Sequence, residues 1–138
     1  MIDLTKMKAD LKRDEGLRLK PYEDSVGKLT IGIGRNIEDV GITEAEAEFL
    51  LTNDIAHTMI DLDKFCPWWK NMNEPRQRAL VNMCFNMGIH RLLGFKDMLT
   101  ALREGNYDDA SNQALDSKWA RQVGKRAGRI AMTFVTGQ

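Results

Sequence analysis

Glu15, Asp24 and Thr30 stand out first, because together their side chains could cleave a glycosidic bond. Singly, each has an ordinary reading. Glu15 falls at the end of a predicted helix, where an exposed carboxylate is tolerated. Asp24 sits in turn-forming sequence and can bond its own backbone. Thr30 lies in a predicted strand, where threonine is common. As a set they mean more. Glycoside hydrolysis needs a carboxylic acid on one face of the scissile bond and an ionised carboxylate on the other. An inverting enzyme also needs room for a water, which a hydroxyl can orient. A helix C-terminus suits the acid, since the macrodipole there disfavours negative charge.

The elements that must position these residues follow from spacing. Leu4, Met7 and Leu11 recur at helical intervals, so residues 4–15 are predicted helical, with Asp3 as N-cap and Gly16 as the stop. The period then changes. Leu17-Arg18-Leu19-Lys20 and Leu29-Thr30-Ile31-Gly32-Ile33-Gly34 alternate, and Pro21, Asp24, Ser25 and Gly27 lie between them. This predicts a β-hairpin over about 17–34. Its glycines suggest close approach by another backbone or a ligand.

From Thr43 onward the pattern is helical. Thr43 and Glu46 form a capping box for a helix to about Leu62. Cys66-Pro67-Trp68-Trp69 breaks it. Ala79, Leu80, Met83, Cys84 and Met87 form the next stripe, with Asn73 as cap, Pro75 in the first turn and Gly88 at the end. Shorter helices are expected at about 95–104, 107–116 and 125–135, with Gly105 between the first two. The fold class is α+β, mostly α: a small N-terminal β-hairpin lobe joined by a long helix to a helical bundle. One domain spans 1–138. Its hairpin lobe with the connecting helix covers about 14–60, and 1–13 plus 61–138 form the helical lobe.

Composition narrows the function. Twenty basic and twenty acidic residues give no net charge, which argues against a dedicated nucleic-acid binder. The longest run free of Asp, Glu, Lys and Arg, Ala79–His90, is too short to cross a bilayer. Charges through the first fifteen positions leave no apolar signal-peptide core, so synthesis in the cytoplasm is expected. Cys66 and Cys84 are too few for a disulfide framework and read as core residues. His57 and His90 lack partners at metal-ligand spacing and read as surface or helix-end residues. Trp68 and Trp69 read as packing rather than sugar-stacking residues, and Met72, Met83, Met87 and Met98 as core filler.

The segment Asp14-Glu15-Gly16-Leu17-Arg18-Leu19-Lys20-Pro21-Tyr22, with Asp24, Gly27 and Thr30-Ile31-Gly32-Ile33-Gly34, resembles the active-site segment of the phage-type lysozymes. It is most similar to those of T-even phages. Arg78-Ala79-Leu80, Asn82-Met83 and Phe85-Asn86-Met87-Gly88 resemble their long core helix. Trp119, Gln122, Arg126-Ala127, Arg129 and Thr133-Phe134 resemble the C-terminal helices.

The resemblance implies an endolysin muramidase that hydrolyses the β-1,4 bond between N-acetylmuramic acid and N-acetylglucosamine in bacterial peptidoglycan. It implies Glu15 as general acid, Asp24 as the carboxylate that activates water or stabilises the transition state, and Thr30 as a water-positioning residue. Gly34, Arg35, Phe85, Asn86 and Arg126 are the implied substrate-binding residues. Arg126 would pair with Glu15, and Arg129 with Asp14. No metal or organic cofactor is implied. The partner is the glycan strand, with no nucleic acid and no stable membrane insertion. A monomer is expected, held in the host cytoplasm until holin-dependent release to the cell wall.

Three features depart from the family pattern. Arg35 replaces the usual His, and Asn86 stands where T-even members carry Gln. Only residues 35–42 separate the hairpin from Thr43, so the substrate lobe is expected to be trimmed. Two rivals to hydrolysis remain: a lytic transglycosylase, and a catalytically silent peptidoglycan-binding relative.

Overall fold

A computed structural model describes all residues, 1–138. Helix α1 runs from Leu4 to Glu15. The Asp3 carboxylate accepts the Lys6 N–H at 3.1 Å, and Gly16 ends the helix at φ 78°. Both caps were predicted. The sheet that follows has three antiparallel strands in the order β1 (Arg18–Glu23), β2 (Leu29–Gly32) and β3 (Arg35–Asn36). A hairpin reaching Gly34 was expected, but the second strand stops at Gly32. Gly32 and Gly34 have φ of 73° and 70°, which reverses the chain and makes room for β3. Thr30 then pairs with Tyr22 on one side and Asn36 on the other.

Helix α2 (Glu44–Phe65) opens on the predicted capping box. Glu46 N–H donates to Thr43 Oγ1 at 3.1 Å, and Thr43 N–H donates to a Glu46 carboxylate oxygen at 2.8 Å. The helix runs three residues past Leu62, because Pro67 disfavours helical backbone only from Cys66. A 3-10 turn spans Pro67–Asn71. Helix α3 (Glu74–Met87) is capped by Asn73, whose side chain accepts the Arg76 N–H.

Five further helices follow: α4 (Ile89–Leu93), α5 (Lys96–Glu104), α6 (Tyr107–Leu115), α7 (Lys118–Val123) and α8 (Lys125–Thr136). The sequence pattern missed α4 and α7. At five and six residues they are too short to display a helical period.

The chain divides into two compact units, Met1–Phe49 and Leu50–Gln138. The second has an apolar core that includes Leu62, Trp69, Leu80, Met83, Trp119 and Phe134. Each such side chain contributes about 1.5–3 kcal/mol by leaving water. Arg76 ties α3 to the end of α8, with Nε donating to the Phe134 carbonyl at 2.8 Å and Nη2 to that of Val135 at 3.1 Å. A cation at a helix C-terminus also complements the macrodipole. Cys66 and Cys84 are free and buried, as expected of core residues. Burial pushes the Cys84 thiol up to about 11. In the first unit Thr30, at 3% exposure, is the one buried residue.

Candidate active site

The three predicted catalytic residues all lie in Met1–Phe49, and local backbone structure holds each of them. Glu15 is the last residue of α1, so its position is fixed by where the helix stops. Its side chain lies against Gly34. A Cβ added at Gly34 would sit 2.9 Å from Glu15 Oε2 and 3.0 Å from its carboxyl carbon. Gly34 also has positive φ, so both space and backbone conformation select glycine there. Close approach by another backbone or a ligand was expected at these glycines; at Gly34 the group that approaches is instead the Glu15 side-chain carboxyl.

Asp24 occupies the β1–β2 turn. One of its oxygens, Oδ1, accepts the Val26 N–H at 3.0 Å and the Lys28 N–H at 2.8 Å. The other oxygen is left for chemistry. Thr30 Oγ1 donates to the Lys28 carbonyl at 2.9 Å. The hydroxyl proton is thereby committed, and the oxygen lone pairs can accept from a water. Asp24 and Thr30 are thus pinned to the two ends of one residue, Lys28. The Lys28 ammonium reaches Glu38 and Asp39, each at 3.4 Å. Sequence reading missed Lys28. Its signal was the Asp-Ser-Val-Gly turn just before it, in which an Asp side chain bonds backbone ahead of it.

Arg35, at the start of β3, donates to both carboxylate oxygens of Glu46, at 2.9 and 2.7 Å, and to the Gly41 carbonyl at 3.1 Å. The Arg35 guanidinium, together with the Thr43 N–H, holds the Glu46 carboxyl down at about 2. The carboxylate of Asp14 receives Arg13 Nε at 3.0 Å.

The remaining predicted binding residues lie in Leu50–Gln138. A groove of about 630 Å³ there is lined by Leu51, Ile55, Met59, Val81, Phe85 and Arg126, among others. Phe85 and Arg126 therefore share one surface. Arg126 Nε donates to Asn82 Oδ1 at 2.9 Å. Asn86 accepts from Trp119 Nε1 at 2.8 Å, which fixes the orientation of its amide. Trp69 is buried and donates to Asp63 at 2.8 Å, so it packs as expected. His57 and His90 are exposed. No group of three His, Cys, Asp or Glu side chains is placed to hold a metal ion.

The phage lysozyme family model matches residues 12–131. The chain belongs to the phage lysozyme family. Lysozyme-type hydrolysis of a glycan is the chemistry of that family. The pre-baseplate central spike protein Gp5 of Enterobacteria phage T4 is 37% identical over 92% of this chain, which spans only 27% of that protein. A probable T4-type lysozyme 1 of Dictyostelium discoideum is 28% identical, covering 97% of the chain and 96% of its own length. An endolysin of Acyrthosiphon pisum secondary endosymbiont phage 1 is 34% identical over 84% of the chain and 80% of itself. The Dictyostelium alignment extends over 163 positions against a chain of 138, so that relative carries segments this phage lysozyme lacks.

Proposed function

We propose that this chain is a muramidase that hydrolyses the β-1,4 bond between N-acetylmuramic acid and N-acetylglucosamine in peptidoglycan, and that this hydrolysis lyses the host cell. The observation that carries the reading is the anchoring of Asp24 and Thr30 to the same residue, Lys28, at the start of the strand that leads to the Gly34 turn against Glu15. Glu15 donates its proton to the glycosidic oxygen as the C–O bond breaks. The free oxygen of Asp24 takes a proton from a water, and that water attacks the anomeric carbon from the opposite face. Thr30 accepts a hydrogen bond from the same water and aims it. Inversion of the anomeric carbon follows from this route.

Gly34 in the first unit and Phe85, Asn86 and Arg126 in the second contact the glycan in this reading. Arg35 was the fifth residue expected there, but most of its guanidinium is committed to Glu46 and Gly41. The enzyme acts as a monomer. It waits in the host cytoplasm for holin-dependent release to the cell wall. No helix is long and apolar enough to cross a membrane.

The test is turbidity loss of outer-membrane-permeabilised Gram-negative cells, with reducing ends counted in the supernatant. Wild type should clear the cells and release reducing ends. Glu15→Gln should fold normally and lose about 10²–10⁴-fold in rate, since an amide cannot donate the proton. Clearing with 1,6-anhydro ends instead would make the enzyme a lytic transglycosylase. Binding to peptidoglycan by folded wild type, without clearing, would make it a silent wall binder.

A further inference from the structure

We propose that the Arg35–Glu46 ion pair is a positioning device for the reaction, holding the Gly34 backbone against the Glu15 carboxyl. The inference rests on Glu15 being the acid. Strand β3 is only two residues long, so its ladder hydrogen bonds alone hold it weakly. It nevertheless begins at the residue after Gly34, where a single added methyl would collide with Glu15.

Ile37 and Glu38, just after β3, bond back to Leu29, and the Gly34 end of β3 is anchored by the planar, two-point contact between Arg35 and Glu46. Such fork-to-fork pairs fix orientation as well as distance. Arg35 also holds the Gly41 carbonyl, and Glu46 closes the capping box on Thr43 N–H. One ion pair therefore joins three things: the start of α2, the loop at Gly41, and the strand that abuts the acid. Both partners are 38–39% exposed, where an ion pair adds little stability. Geometry is the better account of its use.

The experiment compares wild type, Arg35→Lys, Glu46→Gln and the double variant on soluble, uncross-linked glycan strands. Temperatures are set well below each melting point measured by circular dichroism. Lysine keeps the charge but not the fork. Glutamine keeps the α2 cap but not the charge. Loss of position predicts kcat down about tenfold or more with KM nearly unchanged, and a double variant no worse than either single.

A lower melting point with unchanged kcat would overturn the proposal in favour of a purely structural pair. A raised KM with unchanged kcat would overturn it in favour of a direct glycan contact. Should Arg35→Lys fail to fold, Glu46→Gln, which retains the cap, decides alone. Glu15→Gln runs in the same assay. If it turns over like wild type, the acid assignment fails, separately from the ion pair.

Discussion

The two units of this lysozyme are stabilised by different physics. Leu50–Gln138 is built on an apolar core of tryptophan, phenylalanine, leucine and methionine side chains removed from water. Met1–Phe49 buries one residue, Thr30, and is organised by caps, an aspartate turn, three ion-pair groups and a short sheet. Their charges differ as well. The first unit has eight basic and eleven acidic residues, the second twelve and nine, so a neutral chain is two oppositely charged pieces. The three proposed catalytic residues lie in the unit without a core. Single side chains there are fixed by backbone hydrogen bonds, while the apolar core lies in the other unit.

The largest effect should come from the core. Phe134→Ala empties a fully buried site and should lower stability by about 3–5 kcal/mol, read from urea unfolding. A loss below about 1 kcal/mol would break the contrast. Gly34→Ala comes next in stability, at about 1–2 kcal/mol from positive φ, but should cut turnover far more than Phe134→Ala does at permissive temperature. Equal activity losses in the two variants would undo the division of labour.

A smaller effect is expected in acid. Glu46 is lowered from 4.5 to about 2 in the folded state by its Arg35 and Thr43 hydrogen bonds. Its stabilisation is therefore complete above pH 4.5 and is lost as pH falls toward 2. The second unit has its own acid-sensitive carboxylate, Asp63, held down by Trp69 and Lys70. All three tryptophans lie in the second unit, so their fluorescence follows that unit, while amide exchange in β2 and β3 follows the first. Between pH 5 and 2, Glu46→Gln should flatten the acid response of β2 and β3 and leave the tryptophan signal as in wild type. A parallel change in both signals would mean the units do not respond separately. The smallest effect is at Glu74–Arg78, an exposed i,i+4 pair. Glu74→Gln should change stability by no more than about 0.5 kcal/mol, checked by urea titration.

Caps and stops were the most legible part of the sequence. Asp3, Thr43 with Glu46, Asn73, Gly88 and Gly105 act within a turn of helix, so sequence neighbours suffice to read them. The placement of the proposed catalytic trio was legible for the same reason, since turn and strand signals bracket Asp24 and Thr30. The third strand was not, because a two-residue strand has no period. Nor was the partner of Arg35, which lies eleven residues away and had been assigned to a cap alone. The role of Lys28 escaped because its backbone, not its side chain, does the holding.

The two native thiols have a practical consequence. Each is 2% exposed, and Cys84 is pushed up to about 11, so almost no thiolate is available to maleimides near neutral pH. A single cysteine placed at an exposed hairpin site such as Ser25 could then carry a dye or spin label in an otherwise wild-type background. The first unit can be tracked spectroscopically without first removing a sulfur from the core.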